Sequence, residues 1–155
     1  MRMTKILFVC RGNICRSPMA EYVLKDMVNR RGISDRFVID SAATSREEIG
    51  NPVYLPARRK LAEKGVPFGN HRAWQMTRSD YGRFDMIICM DQNNIRNIKR
   101  ITGGDPEGKI SLLLDYTDRA GDEVADPWYT GNFDATWRDV TEGCEGLLQH
   151  ILKGE

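Results

Sequence analysis

Short apolar runs alternate with longer amphipathic stretches along this chain of 155 residues. The apolar runs predict four strands, and the first of them reads as the continuous sequence Ile-Leu-Phe-Val-Cys, which is typical of a strand buried on both faces. We predict these strands over Lys5–Cys10, Phe37–Ala42, Asp85–Met90 and Ile110–Leu114. The amphipathic stretches predict helices over Pro18–Arg31, over Leu55–Lys64, from an Asp91 N-cap toward Ile101, and along the apolar positions from Trp137 to Ile151.

This order of elements predicts an α/β fold: a single three-layer domain over residues 1–155, with a four-stranded parallel sheet and helices on both faces. Ligands of such sheets bind outside the carboxyl ends of the strands. Residues 117–131 are rich in Asp, Gly and Pro and predict a long loop, which in a compact domain is often functional. The segment Thr77–Asp80 resembles a helix N-cap with an acid three residues on.

Charge and cysteine content exclude several classes of protein. Lys and Arg total 23 against 22 for Asp and Glu, so the chain lacks the basic excess of a nucleic-acid binder. No apolar run approaches the roughly 18 residues of a membrane span, and the N-terminus has no signal-peptide cleavage site. We therefore expect a cytoplasmic protein without nucleic-acid or membrane partners. Its cysteines are expected to be reduced thiols: Cys10, Cys15, Cys89 and Cys144.

The segment Val9–Pro18 carries the strongest chemical signal. A cysteine ends the first strand, five residues form a loop, and Arg-Ser-Pro opens the next helix. A loop of this length that closes on a helix N-terminus can turn several backbone N–H groups inward and so form an anion site. Gly12 permits close backbone approach or a positive φ, and Asn13 tolerates the left-handed region. The sequence thus predicts a phosphate-binding loop after the first strand.

Three side chains of this segment predict nucleophilic chemistry on phosphorus. Arg16 supplies a planar fork that can hold two phosphate oxygens, and the same positive field favours the thiolate form of Cys10. Ser17 can donate its hydroxyl to that thiolate. A thiolate at the bottom of a phosphate-shaped nest is a nucleophile aimed at phosphorus.

Two other sites that such a loop could form are not supported. A nucleotide P-loop ends in Gly-Lys-Ser/Thr, which is missing here, and a zinc site built on Cys10 and Cys15 lacks a second close ligand pair. We expect no metal and no organic cofactor, because backbone amides and Arg16 supply the positive charge that a metal supplies elsewhere.

The segment Val9–Pro18 resembles the signature of the low-molecular-weight protein tyrosine phosphatases, with Arg11 in its variable position. The likeness continues through Asp40-Ser41, His71, Phe84–Asp91 and Asp126–Tyr129, and therefore spans nearly the whole chain. It implies that Cys10 attacks phosphorus to form a phosphocysteine, and that Arg16 binds the phosphate and stabilises the transition state. Asp126 matches the general acid that protonates the leaving aryloxide and later activates water.

The resemblance assigns further roles around the loop. Four residues match positions that brace the loop: Asn13, Ser17, Ser41 and His71. Cys15 matches a cysteine that pairs with the nucleophile under oxidants. The substrate is expected to be a phosphotyrosyl protein or a small aryl phosphate, and the protein a monomer or weak dimer. Residues matching the phosphate and substrate contacts are Arg11, Gly12, Asn13, Ile14, Cys15, Glu47, Trp128 and Tyr129.

Two positions depart from the family pattern. Trp128 stands where a tyrosine is usual, which enlarges the pocket wall and keeps its aromatic character. Glu47 stands where many members carry an aromatic residue, and with Glu48 it predicts an acidic rim that favours basic peptides. Arg11 at the mouth acts in the opposite direction.

Three alternatives to a tyrosine phosphatase remain open at the level of sequence. An arsenate reductase of this fold needs a relay of thiols, and none follows Cys89 between Met90 and Lys109. A phosphoarginine phosphatase would carry a threonine in place of Ile14. A phospho-binding module, or a carrier phosphorylated on cysteine, would not need Asp126.

Overall fold

The computed structural model describes residues 3–154, and within them four parallel strands form one sheet in the order β2-β1-β3-β4. The strands are β1 (Thr4–Cys10), β2 (Phe37–Ala43), β3 (Met86–Cys89) and β4 (Ile110–Leu112). The four predicted strands are confirmed, but β4 ends two residues early. The carboxylate of Asp115 accepts a hydrogen bond from the backbone N–H of Leu112 at 3.0 Å, and a 3₁₀ turn over Leu113–Tyr116 replaces the end of the expected strand.

The helices are α1 (Arg16–Arg30), α2 (Leu55–Glu63), α3 (Gln92–Thr102), α4 (Pro127–Thr130) and α5 (Phe133–Lys153). Asp91 caps α3 as predicted and accepts the backbone N–H of Asn94 at 2.8 Å. The predicted start of α1 at Pro18 is wrong by two residues, because the first turn already closes with a 3.1 Å bond from Met19 N–H to the Cys15 carbonyl. Asn132 caps α5, so that helix begins before Trp137.

Two shorter segments differ from simple loops. The expected capping box at Thr77 is confirmed, and it opens a 3₁₀ helix over Arg78–Gly82. The stretch 117–131, predicted as a long loop, contains the single turn α4, which Asp126 caps by accepting the backbone N–H of Trp128 at 3.0 Å.

The side chains of β1 alternate between two hydrophobic cores. Ile6 and Phe8 are fully buried in the core formed with α1, α2 and α5. Leu7 and Val9 are fully buried on the opposite face, in the core that contains Ile98 of α3. Helices therefore cover both faces of the sheet, as the apolar run of β1 predicts.

The carboxyl ends of β1, β2 and β3 lie at one edge of the sheet, where Cys10 pairs in register with Ala43 and Val9 with Cys89. The loops that leave this edge carry the residues considered below. Among residues 3–154, none of the helices combines the length and apolar character that crossing a bilayer requires.

Close packing of α5 on the turn after β4 predicts a steric effect at Gly146. A Cβ there would lie 2.9 Å from the carbonyl carbon of Tyr116 and closer still to its oxygen. Alanine normally stabilises a helix interior relative to glycine, but here the backbone contact dominates. We expect Gly146→Ala to lower the free energy of unfolding by about 2 kcal/mol in urea denaturation.

The exposed neighbour Glu145 on the same helix provides the matched control. Glu145→Ala is expected to change stability by less than about 0.5 kcal/mol. Equal stability of Gly146→Ala and the wild-type protein would contradict this packing.

Candidate active site

The loop between β1 and α1, residues 11–15, turns its backbone toward the sulfur of Cys10. Within the described chain, Asn13 is the one non-glycine residue with a positive φ, 60°, which Asn tolerates better than most residues. This conformation aims the Asn13 backbone N–H at Cys10 Sγ, 3.3 Å away. Gly12 does not have a positive φ. A Cβ at this position would lie 3.4 Å from Cγ of Glu48, so the glycine allows the loop backbone to lie close to the Glu48 side chain.

The other amides of this β1–α1 loop supply further donors. Among residues 3–154, the backbone N–H groups of Gly12, Ile14 and Cys15 meet no protein acceptor. Gly12, Ile14 and Cys15 line the same pocket as Cys10 and immediately precede the N-terminus of α1. Successive unpaired N–H groups in such a turn make an anion-binding concavity.

Cys10 is buried at the floor of this loop, and its Sγ lies 3.0 Å from Ser17 Oγ. Ser17 Oγ accepts a 2.8 Å hydrogen bond from the side-chain amide of Asn13, which leaves the serine proton free to point at sulfur. Two donors, one from a hydroxyl and one from the backbone, thus converge on the sulfur.

Arg16 is held by two other segments of the chain and is only 4% exposed. Its guanidinium donates to Asp91 Oδ2 at 2.9 Å and to the Val124 carbonyl at 3.1 Å, and lies 3.4 Å from Asp126 Oδ2. Burial opposes the charge, but the negative groups Cys10, Asp126 and Asp91 outweigh it and raise the pKa of Arg16 above its ordinary value. The side chain is therefore a fixed cation beside the sulfur.

Asp126 reaches the site from the segment between the sheet and α5. The preceding residues are anchored, because Val124 N–H donates to the Met90 carbonyl at 2.9 Å and Ala125 N–H to Asp139 at 2.9 Å. One carboxylate oxygen of Asp126 caps α4, and the other faces Arg16. The carboxylate therefore stands at the mouth of the pocket in a defined orientation.

A hydrogen-bond network behind the β1–α1 loop joins Asn13, Ser41 and His71. Asn13 Oδ1 accepts from His71 Nε2 at 2.7 Å, and Asn13 Nδ2 donates to Ser41 Oγ at 3.0 Å. The Ser41 hydroxyl donates in turn to Glu21 Oε1 at 2.6 Å. The structure thus brings together the residues that the sequence assigns to bracing, and adds Glu21.

Glu21, Asp40 and His71 each offer a ligand atom, and these atoms lie within 4.8 Å of one another. This is a metal-type donor set, but both oxygens of Glu21 already have protein donors. Oε1 accepts from Ser41, and Oε2 accepts from Lys25 at 2.6 Å. Residues of the protein therefore supply hydrogen-bond donors to both oxygens of Glu21, and one of these donors is the ammonium group of Lys25.

A pocket of about 280 Å³ opens above Cys10. Ser17, Ser41 and His71 lie behind the loop rather than on the pocket wall. Trp128 and Tyr129 are exposed, and the Trp128 ring lies 5.4 Å from the ring of Tyr54. The residues that line the pocket are Cys10, Arg11, Gly12, Asn13, Ile14, Cys15, Arg16, Glu47, Glu48, Asp126, Trp128 and Tyr129.

The rim of this pocket carries an ion pair. Arg11 Nη2 donates to Glu47 Oε1 at 2.6 Å, and this hydrogen bond raises the pKa of Arg11. The charge of Glu47 is thereby balanced, so the strongly acidic rim expected from Glu47 and Glu48 is reduced. Within the described part of the chain, Glu48 has a neutral partner, the side-chain amide of Asn51 at 2.6 Å.

The remaining cysteines are buried thiols, and no disulfide occurs among residues 3–154. Burial, followed by the charge of Cys10, raises the pKa of Cys15 to about 12. Cys15 is therefore a neutral thiol at pH 7 and adds no second negative charge to the pocket. Burial also raises the pKa of Cys89 and of Cys144, which fits small core residues.

Sequence reasoning missed the partners of the charged side chains. Asp91 is predicted only as a helix cap, yet its second oxygen holds Arg16. Its place directly after β3, at the ligand-binding edge of a parallel sheet, is the signal that could have identified it. Glu21 could have been noticed as an acid among the apolar residues of α1, four positions after Ser17.

Fold and site together define an α/β protein with a buried cysteine in an anion-binding loop, an arginine fixed beside it and a carboxylate at the pocket mouth. The model of the family described as low molecular weight phosphotyrosine protein phosphatase matches residues 5–155. The chain belongs to this family, which confirms the resemblance seen in the sequence.

Individual relatives agree with this assignment. The low molecular weight protein-tyrosine-phosphatase YfkJ of Bacillus subtilis is 39% identical over 97% of both chains. Its crystal structure covers 100% of this chain and 98% of its own, with a TM-score of 0.95. The Homo sapiens low molecular weight phosphotyrosine protein phosphatase is 37% identical over 93% of both chains. A structure described as drosophila arginine phosphatase is 31% identical, covers 96% of this chain and 98% of its own, and has a TM-score of 0.85.

The bracing network predicts that the side chain of Asn13 is needed for stability. Asn13→Ala would remove the hydrogen bonds that this fully buried side chain makes with Ser17, Ser41, His71 and the Trp74 N–H. It would also place alanine in the left-handed region. We expect a loss of about 2–4 kcal/mol in chemical denaturation.

Asn51→Ala is the control, because the Asn51 side chain is exposed and, among residues 3–154, its partner is the exposed Glu48. It is expected to change stability by less than about 0.5 kcal/mol. If both variants unfolded at the same denaturant concentration, the network would not support the loop.

Proposed function

We propose that this chain is a protein-tyrosine phosphatase that hydrolyses phosphotyrosine monoesters through a phosphocysteine intermediate, and that residues 1–155 act as one phosphatase domain. Its substrate is a phosphotyrosyl protein or a small aryl phosphate. The observation that carries the proposal is the convergence of donors on Cys10 Sγ beside the fixed cation Arg16. A thiolate so placed is a nucleophile, and the free loop amides fit the oxygens of a phosphate.

In the first step, Cys10 Sγ attacks phosphorus, so that an S–P bond forms while the P–O bond to the aryl group breaks. The free amides of the β1–α1 loop and the guanidinium of Arg16 bind the equatorial oxygens, where charge spreads in the transition state. Arg16 uses two of its five N–H donors on Asp91 and Val124, and donors remain for phosphate although a second carboxylate, Asp126, lies 3.4 Å from the guanidinium.

Asp126 serves as the general acid in this step and donates a proton to the leaving aryloxide. Asp126 lines the same pocket as Cys10, which supports this role. In the second step, Asp126 takes a proton from a water molecule that attacks phosphorus, the S–P bond breaks and phosphate leaves. The Ser17 hydroxyl then stabilises the thiolate that departs.

The pocket wall favours an aromatic ester. The ring of phosphotyrosine can pack in this pocket against Trp128 and Tyr129 and against Gly12 and Ile14 of the loop.

The phosphoarginine alternative is tested by direct comparison of substrates. The kcat/KM for phosphotyrosine should exceed that for phosphoarginine and phosphoserine. A binding module or phosphocarrier would show no sustained turnover of any of them.

We further propose that Cys15 protects the nucleophile and that the protein works in the reducing cytoplasm. Peroxide converts Cys10 to a sulfenic acid, with loss of hydroxide from the peroxide. The Cys15 thiol then attacks the Cys10 sulfur, an S–S bond forms and water leaves. Cys10 and Cys15 line the same pocket, which supports this pairing.

Removal of Asp126 tests the acid role. Asp126→Ala should lower kcat by about 10²–10³ on phenyl phosphate, a poor leaving group, and by much less on para-nitrophenyl phosphate, whose leaving group needs no proton. The measurement is steady-state kinetics without added metal between pH 5 and 7.

Asp122→Ala is the matched control, since Asp122 is an exposed carboxylate of the same segment, paired at 4.0 Å with Arg119. It should leave both rates near those of the wild-type protein. An equal loss on both esters with Asp126→Ala would remove Asp126 as the acid, and full turnover by Cys10→Ser would refute the mechanism.

Redox protection by Cys15 is tested by counting thiols after mild peroxide treatment. The wild-type protein should lose two thiols and recover both, with its activity, on addition of dithiothreitol. Cys15→Ser should lose one thiol and progress to irreversible oxidation. Cys144→Ser, which changes a core thiol, should behave as the wild-type protein does, and recovery of Cys15→Ser to the same extent would exclude the pairing.

A further inference from the structure

A second groove, of about 500 Å³, opens beside the active-site pocket. It shares Arg11, Arg16, Glu47, Asp126 and Tyr129 with the pocket, so the two form one continuous depression. Away from the pocket it runs along α3, and we call it the α3 groove. The residues that line this part include Ser45, Asp91, Asn93, Asn94, Asn97 and Arg100.

The arginines along the α3 groove differ in whether a carboxylate neutralises their charge. Arg16 has Asp91 and Asp126 as carboxylate partners, and Arg11 has Glu47. Within residues 3–154, the guanidinium of Arg100 meets only a neutral acceptor, Asn97 Oδ1, at 3.1 Å. Arg100 is exposed, so the end of the groove farthest from Cys10 presents a positive charge that no carboxylate of the described chain neutralises.

The length of the groove suits a peptide. From Asp91, beside Arg16, to Arg100 the chain advances nine helical residues, or roughly 13 Å. An extended peptide covers that distance in about four residues, at ~3.3 Å each. Asn93 and Asn97 line the intervening stretch, and their amides can both donate to and accept from a peptide backbone.

We propose that the α3 groove binds the residues on one side of the phosphotyrosine in a substrate protein, and that Arg100 selects an acidic side chain three or four positions away. The inference rests on the proposed function, because it assumes that phosphotyrosine enters the pocket above Cys10. Arg100 is here a specificity residue and takes no part in the chemistry.

The other side of the pocket mouth has a different character. A groove of about 300 Å³ there is lined by apolar side chains that include Tyr54, Leu55 and Trp128. Its cation is Arg58, on α2. An acidic residue that follows this second path does not approach Arg100, so the preference that Arg100 creates belongs to one side of the phosphotyrosine only.

The test uses phosphotyrosyl peptides of neutral sequence, in which a single glutamate is placed three or four positions before or after the phosphotyrosine. For the wild-type protein, kcat/KM should rise about two- to fivefold for glutamate on one side, as expected for an exposed ion pair. Arg100→Gln should abolish this ratio, and Arg100→Glu should transfer the preference to a peptide with lysine at that position. The ratio should also fall toward one at high salt.

Two arginines serve as matched controls. Arg96 lies on the same helix outside the groove, where it donates to Asn93, and Arg58 lies on the opposite side of the mouth. Arg96→Gln and Arg58→Gln should retain the glutamate ratio of the wild-type protein.

The outcomes separate this inference from the proposed function. Turnover of every peptide without any one-sided preference, or a preference that survives Arg100→Gln, would overturn the role of the α3 groove and leave the phosphatase activity intact. Absence of turnover of phosphotyrosine itself would overturn both.

Discussion

The hydrogen bonds of one buried amide, Asn13, determine the shape of the site. Its left-handed backbone turns the β1–α1 loop around Cys10, and its side chain ties that loop to Ser17, Ser41 and His71. The same amide occupies one acceptor position of Ser17, which leaves the serine proton for the sulfur. Positioning of the loop and stabilisation of the nucleophile therefore depend on a single side chain.

A second constraint is the burial of Arg16. A guanidinium removed from water needs partners, and Asp91 from the end of β3 and Asp126 from the start of α4 supply them. These two carboxylates come from different segments of the chain. Arg16 therefore links the end of the sheet near β3 to the segment that precedes α5. The residue that binds phosphate in the proposed mechanism is thus also the residue that joins the parts of the site.

Much of this arrangement could be predicted from the sequence. The apolar run of β1 and the segment Val9–Pro18 identify the strand, the loop and the helix that follows, since their spacing is local. The partners of Arg16 and Ser41 were not predicted, because their contacts with Asp91 and Glu21 depend on how distant segments meet in the fold. Only the place of Asp91 after β3 and the position of Glu21 among apolar residues of α1 mark these two acids in the sequence. The prediction for the pocket rim was also incomplete. It included the charges of Arg11 and Glu47 but not their ion pair, because that pairing depends on how two loops approach each other.

The central claim is that Cys10 carries the phosphoryl group during turnover. The most direct measurement is acid quenching of the protein during hydrolysis of para-nitrophenyl phosphate, followed by mass spectrometry of the peptide that contains Cys10. The mechanism predicts phosphate on Cys10 itself, in an amount that rises when Asp126→Ala slows attack by water. Sustained turnover with phosphate absent from Cys10, or found on another residue, would contradict it.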